Sequence, residues 1–183
     1  TYVCFDVTVQ EAAAPDTVTL PDPALFRAPQ PPAVAETTID TLRDMLSRAD
    51  RPVFLMGRVS RSEEDWALRV ALAEATGAEV LTDIKTGASF PTDHPAHVGP
   101  PAFFMAPGPA QALAAADLIL AFDWVDTAGA LRQAGATGTL VNISLDHQLA
   151  NGWSLDHMAQ PPAHLHVAAL PDTVIRALAA AMD

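Results

Sequence analysis

The sequence predicts an α/β fold, in which a mostly parallel sheet is covered by helices on both faces. Three observations predict it. Short, fully apolar runs recur along the chain, as at Val53, Phe54, Leu55 and Met56 and again at Leu118, Ile119, Leu120, Ala121 and Phe122. Such runs are the mark of strands buried on both sides. Between them lie stretches whose apolar residues return at helical spacing. The elements alternate strand, helix, strand, which short connections resolve into right-handed parallel crossovers.

The regular pattern begins at Thr37. Upstream, Tyr2, Val3, Cys4, Phe5 and Val7 form a β-rich run closed by Gln10 and Glu11, followed over residues 12–36 by Pro15, Pro21, Pro23, Pro29, Pro31 and Pro32. Prolines that dense exclude a helix interior or a central strand and favour a semi-rigid extended connector. Thr37 and Asp40 have the spacing of a helix start, and Ile39, Leu42, Met45, Leu46 and Ala49 share a face. Residues 52–56 are a strand ending at Gly57. Ser60 and Glu63 have the spacing of a capping box for a second helix, with Trp66, Val70 and Ala73 on one side, Leu68, Leu72 and Ala75 beside them, and Gly77 at its end. Residues 78–82 read as the next strand. Residues 86–109, rich in Pro and Gly, are long for a loop in a compact domain and are expected to hold short elements or a binding surface. A short helix over 110–116, a strand over 117–122, a helix over 126–134 and a strand over 138–144 follow. A last strand is expected over 165–168. Pro171 then opens a terminal helix with Val174, Ile175, Leu178 and Met182 inward. The whole describes a Rossmann-like three-layer sandwich.

Composition agrees with a folded domain and excludes several functions. Half of the 183 residues are hydrophobic and 17% are charged, so wholesale disorder is excluded. No run of about 18 apolar residues occurs, so no membrane span is expected. Twenty-two acidic residues against 10 basic ones give a net charge of -12, which would repel a phosphate backbone and argues against nucleic acid as a partner. The opening residues carry neither a basic n-region nor a cleavage site, so a signal peptide is not expected. The single cysteine, Cys4, forms no internal disulfide and fits a cytoplasmic location. Its place in the expected strand favours a buried small hydrophobe over a nucleophile.

Several segments together resemble a known family. Residues 2–11 are similar to the closing strand of the pyrimidine-binding domain of thiamine diphosphate enzymes, which precedes a proline-rich linker. Arg51, Pro52, Val53, Phe54, Leu55, Met56 and Gly57, followed by Arg58, resemble the opening strand of that family's central domain. Residues 77–82, the Phe90-Pro91-Thr92-Asp93-His94-Pro95 segment and the Ala114-Ala115-Ala116-Asp117-Leu118 strand entry are similar to further pieces of it, in order. The nearest resemblance is to acetolactate synthase-like enzymes. It implies the DHS-like NAD/FAD-binding domain fold and a division into the end of an upstream pyrimidine-binding domain (1–11), a linker (12–36) and the central domain (37–183). It also implies a parent carboligase or 2-oxo acid decarboxylase, a transferase or lyase assembling as a homodimer or homotetramer. Thiamine diphosphate and Mg2+ would be held by flanking pyrimidine- and pyrophosphate-binding domains. No Gly-Asp-Gly stretch is present, so this chain is expected to be inactive alone and to brace the catalytic domains.

In this family the central domain sometimes holds FAD or ADP and is sometimes empty. A ligand would lie at the carboxyl ends of the strands, where Gly57, Arg58, Lys85, Thr86, Gly87, Asp123, Trp124 and Asp146 fall. Gly57 permits close backbone approach, Arg58 or Lys85 could pair with a pyrophosphate, and Asp146 could hold a ribose hydroxyl or simply form a turn. However, Gly57-Arg58-Val59-Ser60-Arg61-Ser62 lacks the later glycines of G-x-G-x-x-G. Glu63, Glu64 and Asp65 also occupy the following helix's first turn, using its positive end for roughly 0.3–1 kcal/mol each. An empty site is favoured over tight dinucleotide binding.

Other candidates read as structural. His94 and His97 flank Pro95 without a cysteine ligand nearby, and His164 with His166 fits a solvent-facing strand edge better than zinc. Trp124 and Trp153 could stack on a flat ligand or pack against other domains. Helix capping accounts for both Asp123 and Asp126. No G-x-S-x-G, P-loop or H-E-x-x-H is present. Two other classes stay open, a self-sufficient FAD- or NAD-binding protein and a pure oligomerisation module.

Overall fold

A computed structural model describes residues 3–146 and 161–182. The chain divides into two units, Thr1–Gln30 and Pro31–Asp183. In the first unit a short helix α1 (Val7–Glu11) and a 3-10 turn (Pro23–Phe26) are joined by extended chain. Over the described residues 3–7 the expected strand is not formed. A strand needs a ladder partner for its backbone groups, and none is supplied among the described residues. Instead the Asp6 carboxylate accepts from the Thr8 backbone N–H at 2.9 Å and starts a helix. Val3, Phe5, Val7 and Val9 are exposed. Cys4 is exposed too, which corrects the expectation that it is buried.

The second unit carries the fold. Its described elements are α2 (Glu36–Arg48), β1 (Pro52–Met56), α3 (Glu63–Thr76), β2 (Glu79–Thr82), α4 (Pro107–Ala115), β3 (Leu118–Phe122), α5 (Thr127–Ala134), β4 (Thr139–Ile143), β5 (Leu165–Val167) and α6 (Pro171–Met182). All strand pairs are parallel, in the order β2-β1-β3-β4-β5. A parallel bridge from Val80 to His97 continues the sheet beyond β2, so the long 86–109 segment supplies a minimal edge. This is the Rossmann-like arrangement that the alternation predicts.

Alternation of side chains along each strand builds two cores. Phe54 and Met56 of β1, Leu120 and Phe122 of β3, and Val141 and Ile143 of β4 face α2, α3 and α6, whose Leu42, Leu72, Val174, Ile175 and Leu178 fill that side. Phe54 and Phe122 meet edge-to-face with ring centroids 5.5 Å apart. On the opposite face Val53, Leu55, Ile119 and Ala121 pack against Leu113 of α4 and Ala130 of α5. Three layers result, with the sheet in the middle.

Element ends differ from expectation where local signals compete. The first long helix starts at Glu36 after Ala35, without a side-chain cap, and Thr37 lies inside it. For α3 the cap is Ser62, not Ser60. The Ser60 hydroxyl is committed to the Asp65 carboxylate, which leaves Ser62 to accept from the Asp65 N–H. Helix α4 begins three residues earlier than expected, with Pro107 and Pro109 in its first turn. Ala75 and Met182 face outward instead of inward. Asp126 caps α5 as expected, accepting from the Gly129 N–H at 2.9 Å. Asp123 caps nothing, having a left-handed φ of 52° at the end of β3. Tyr2 and Trp153 lie outside the described residues.

Candidate functional site

In a parallel sheet the loops at the carboxyl ends of the strands form the edge open to ligands, most of all where strand order reverses. Here the order reverses at β1, whose neighbours β2 and β3 leave in opposite directions. Four of the predicted residues, Gly57, Arg58, Asp123 and Asp146, come together at that point. Gly57 is glycine because of the protein's own chain. A Cβ there would stand 2.2 Å from the Asp123 carbonyl oxygen and 2.7 Å from the Trp124 Cα. The two loops are stitched by Gly57 N–H to Phe122 C=O and Arg58 N–H to Asp123 C=O, both 3.0 Å.

The Arg58 guanidinium is likewise engaged by the protein. It donates to the Asp123 carboxylate at 2.9 Å and to the Asp146 carboxylate, while the Ser144 hydroxyl donates to the same oxygen of Asp123. Burial works against the cation, but the bonds to Asp123 and Asp146 outweigh it and raise the Arg58 pKa. One arginine thus links the loops after β1, β3 and β4, and its charge is met by two carboxylates.

Lys85 and Trp124 sit elsewhere, in a cleft of about 450 Å³ between the loop after β2, the Phe103–Phe104 aromatic pair and α5. Asp83, Arg132 and Gln133 also line it. Lys85 places Nζ 3.5 Å from the Asp83 carboxylate. That carboxylate is buried, and it also accepts from the backbone N–H groups of Lys85 at 2.9 Å and Val125 at 3.3 Å. Thr86 turns back onto the Asp83 carbonyl, and Gly87 has no neighbour that a Cβ would meet. Neither lines the cleft.

Sequence reasoning missed a buried polar network on the α3–α6 side. Arg69 is fully buried, with Nη1 on the Asp172 carboxylate at 2.5 Å, Nε on the Ser89 carbonyl at 2.9 Å and Nη2 on the Ser60 carbonyl at 3.2 Å. Asp65, also buried, receives both prongs of the Arg176 guanidinium at 2.7 Å. Burial alone would raise the Asp65 pKa; the Ser60 hydroxyl and the Arg176 charge overcome this and lower it. The pairs are crossed, 65 with 176 and 69 with 172. The available signal was the repeated D-x-x-x-R spacing in the two helices, which places each Asp and Arg on one helix face. Asp65 is therefore more than a dipole-facing acid.

The histidines act locally. His97 shares a 3.0 Å hydrogen bond with Thr82 Oγ1, and burial lowers its pKa despite an opposing backbone bond at Thr92. His94 lies 3.3 Å from Glu74, and His164 Nδ1 accepts from the Leu140 N–H at 3.1 Å. Among the described residues no group of three or more His, Cys, Asp or Glu side chains is placed to hold a metal ion. No described helix is long and apolar enough to cross a membrane.

Comparison with known proteins adds family evidence. The family described as "Thiamine pyrophosphate enzyme, central domain" matches residues 39–176. Two solved structures are similar. An enzyme from Mycobacterium smegmatis described as thiamin diphosphate-dependent has 20% identity and a TM-score of 0.56 over 83% of this chain and 29% of its own. The thiamine diphosphate-dependent 4-hydroxybenzoylformate decarboxylase of Rhodococcus jostii RHA1 has 19% identity and a TM-score of 0.58 over 87% and 30%. This chain therefore spans less than a third of the length of these two proteins. Among curated proteins nothing matches.

Proposed function

Because the chain belongs to the family of thiamine pyrophosphate enzyme central domains, we propose that it is the non-catalytic middle domain of a longer thiamine diphosphate-dependent enzyme. Its role is to brace the catalytic domains on either side. In this reading residues 1–11 end an upstream pyrimidine-binding domain and residues 12–36 are the linker. The parent, a cytoplasmic homodimer or homotetramer, makes or breaks a C–C bond beside the carbonyl of a 2-oxo acid. An acetolactate synthase-like carboligase and a 2-oxo acid decarboxylase share that chemistry, and the similar Rhodococcus protein is named for the second. Thiamine diphosphate and Mg2+ belong to the parent's other domains. The described residues offer no donor cluster that fits the metal, so no chemical step is assigned to them.

One observation carries the scaffold reading. The point of the sheet where a nucleotide would bind is filled by the protein, with Gly57 closed against the Asp123 backbone and Arg58 neutralised by Asp123 and Asp146. A phosphate approaching Arg58 would meet two carboxylates already paired with its Nη2, whose negative charge opposes it. This supports an empty switch point over bound FAD or ADP.

The test combines activity and binding. The purified chain with thiamine diphosphate, Mg2+ and pyruvate is expected to show no turnover, and FAD, NAD or ADP to give no thermal shift. Turnover would refute the scaffold role. A yellow preparation, or stabilisation by a dinucleotide, would favour a nucleotide site in the cleft beside Trp124 and Lys85, as in a self-sufficient dinucleotide-binding protein.

A further inference from the structure

We infer that Arg69 is a positioning residue that sets the loops after β1 and β2 relative to each other and to α6. All three polar groups of Ser60 are held by helix side chains. Its N–H donates to Asp172 at 2.6 Å, its carbonyl accepts from Arg69 at 3.2 Å and its hydroxyl donates to Asp65 at 2.5 Å. Through Nε the same arginine holds the Ser89 carbonyl, next to Ala88 with its left-handed φ of 56°. Arg69 therefore fastens the segment that carries Gly57 and Arg58 to the segment that carries Lys85, Thr86 and Gly87. It does so at full burial, where each bond is shielded from competing water. Its counter-ion Asp172 comes from the first turn of α6, more than a hundred residues away in sequence.

The geometry requires arginine, not merely a positive charge. Three acceptors, from Ser60, Ser89 and Asp172, lie around one planar fork with its donors in fixed directions. A lysine ammonium at the end of a flexible stem would keep the charge beside Asp172 but could not span both carbonyls. Together with Arg58, which links the loops after β1, β3 and β4, Arg69 completes a pair of guanidiniums that organise the open edge of the sheet.

Hydrogen exchange on the full chain tests this with Arg69→Lys and Asp172→Asn, using Leu178→Ala as a control destabilised in the core. Amides of residues 59–62 and 87–90 in Arg69→Lys are expected to exchange roughly tenfold faster or more than in the unmodified chain, with β3 and β4 unchanged. Asp172→Asn should speed the 59–62 amides. Should Arg69→Lys keep both loops as protected as the unmodified chain, charge alone suffices and the inference fails. It fails equally if exchange rises uniformly across strands and loops, as expected for Leu178→Ala. If Arg69→Lys does not fold, Asp172→Asn decides, and normal protection at 59–62 overturns the assignment.

Discussion

Replacing Gly57 by alanine adds one methyl group at the most crowded backbone contact of the open edge. The new Cβ would stand 2.2 Å from the Asp123 carbonyl oxygen, whereas real Cβ contacts essentially never fall below 3.0 Å, so something must retreat by 0.8 Å (3.0 minus 2.2). The obstacle is backbone, held by Arg58 N–H on the Asp123 carbonyl and Asp123 N–H on the Ile143 carbonyl. Overpacking of this kind costs about 1–3 kcal/mol. Weakening the two bonds across the Gly57 contact adds about 0.5–1.5 kcal/mol each. Gly57→Ala should therefore lose about 2–6 kcal/mol, a large fraction of the 5–15 kcal/mol typical of a domain. Urea titration would read this as a lower midpoint at unchanged slope, and a thermal scan as a drop of about 4–24 °C. Gly87→Ala, with open space around it, is the matched control and should change stability by less than about 0.5 kcal/mol. A Gly57→Ala loss below about 1 kcal/mol would refute the packing argument, and with it the claim that the switch point is closed by the chain itself.

Other consequences are equally open to measurement. Arg69→Met and Asp172→Asn should couple by about 0.5–3 kcal/mol in a double-mutant cycle, since each leaves the other's buried charge without its partner; strict additivity would show that the pair does not interact. Asp126→Ala removes the cap of α5 and should cost about 1 kcal/mol, with the loss absent if another group satisfies the Gly129 N–H. Asp65 and Asp117 have pKa values lowered in the fold: burial opposes this for both, but the Ser60 hydroxyl and Arg176 hold Asp65 down, and the Asp50 and Arg51 N–H groups hold Asp117 down. Their stabilisation is complete above about pH 4 and disappears as pH falls through the folded values, so Asp65→Asn should flatten the acid limb of a stability–pH curve. Half-buried His97 also resists protonation, so the unfolded chain takes up its proton first and stability falls as pH drops below about 6.5. An equal pH 5.5 to 7.5 difference in His97→Gln would rule that contribution out.

Local pattern determined much of this protein. Fully apolar runs marked β1 and β3 because a parallel strand is buried on both faces, and Ile39, Leu42 and Leu46 marked α2 because one helix face meets the sheet. Asp126 was readable as a cap because its partner is three residues away. The carboxyl-end residues followed from the strand order implied by the alternation, and Gly57, Arg58, Asp123 and Asp146 do meet there.

Only the tertiary structure decided what those groups do. Arg58 could equally have awaited a phosphate, and its two carboxylates come from 65 and 88 residues away. Asp65 read as a first-turn acid and Arg69 drew no reading, because periodicity registers hydrophobic contrast and says nothing of a counter-charge supplied by another helix. Cys4 and its neighbours read as a strand because composition records β propensity and not the presence of a partner. Hydrophobic burial is written residue by residue into the chain, whereas a buried charge or a paired strand exists only once distant segments have met.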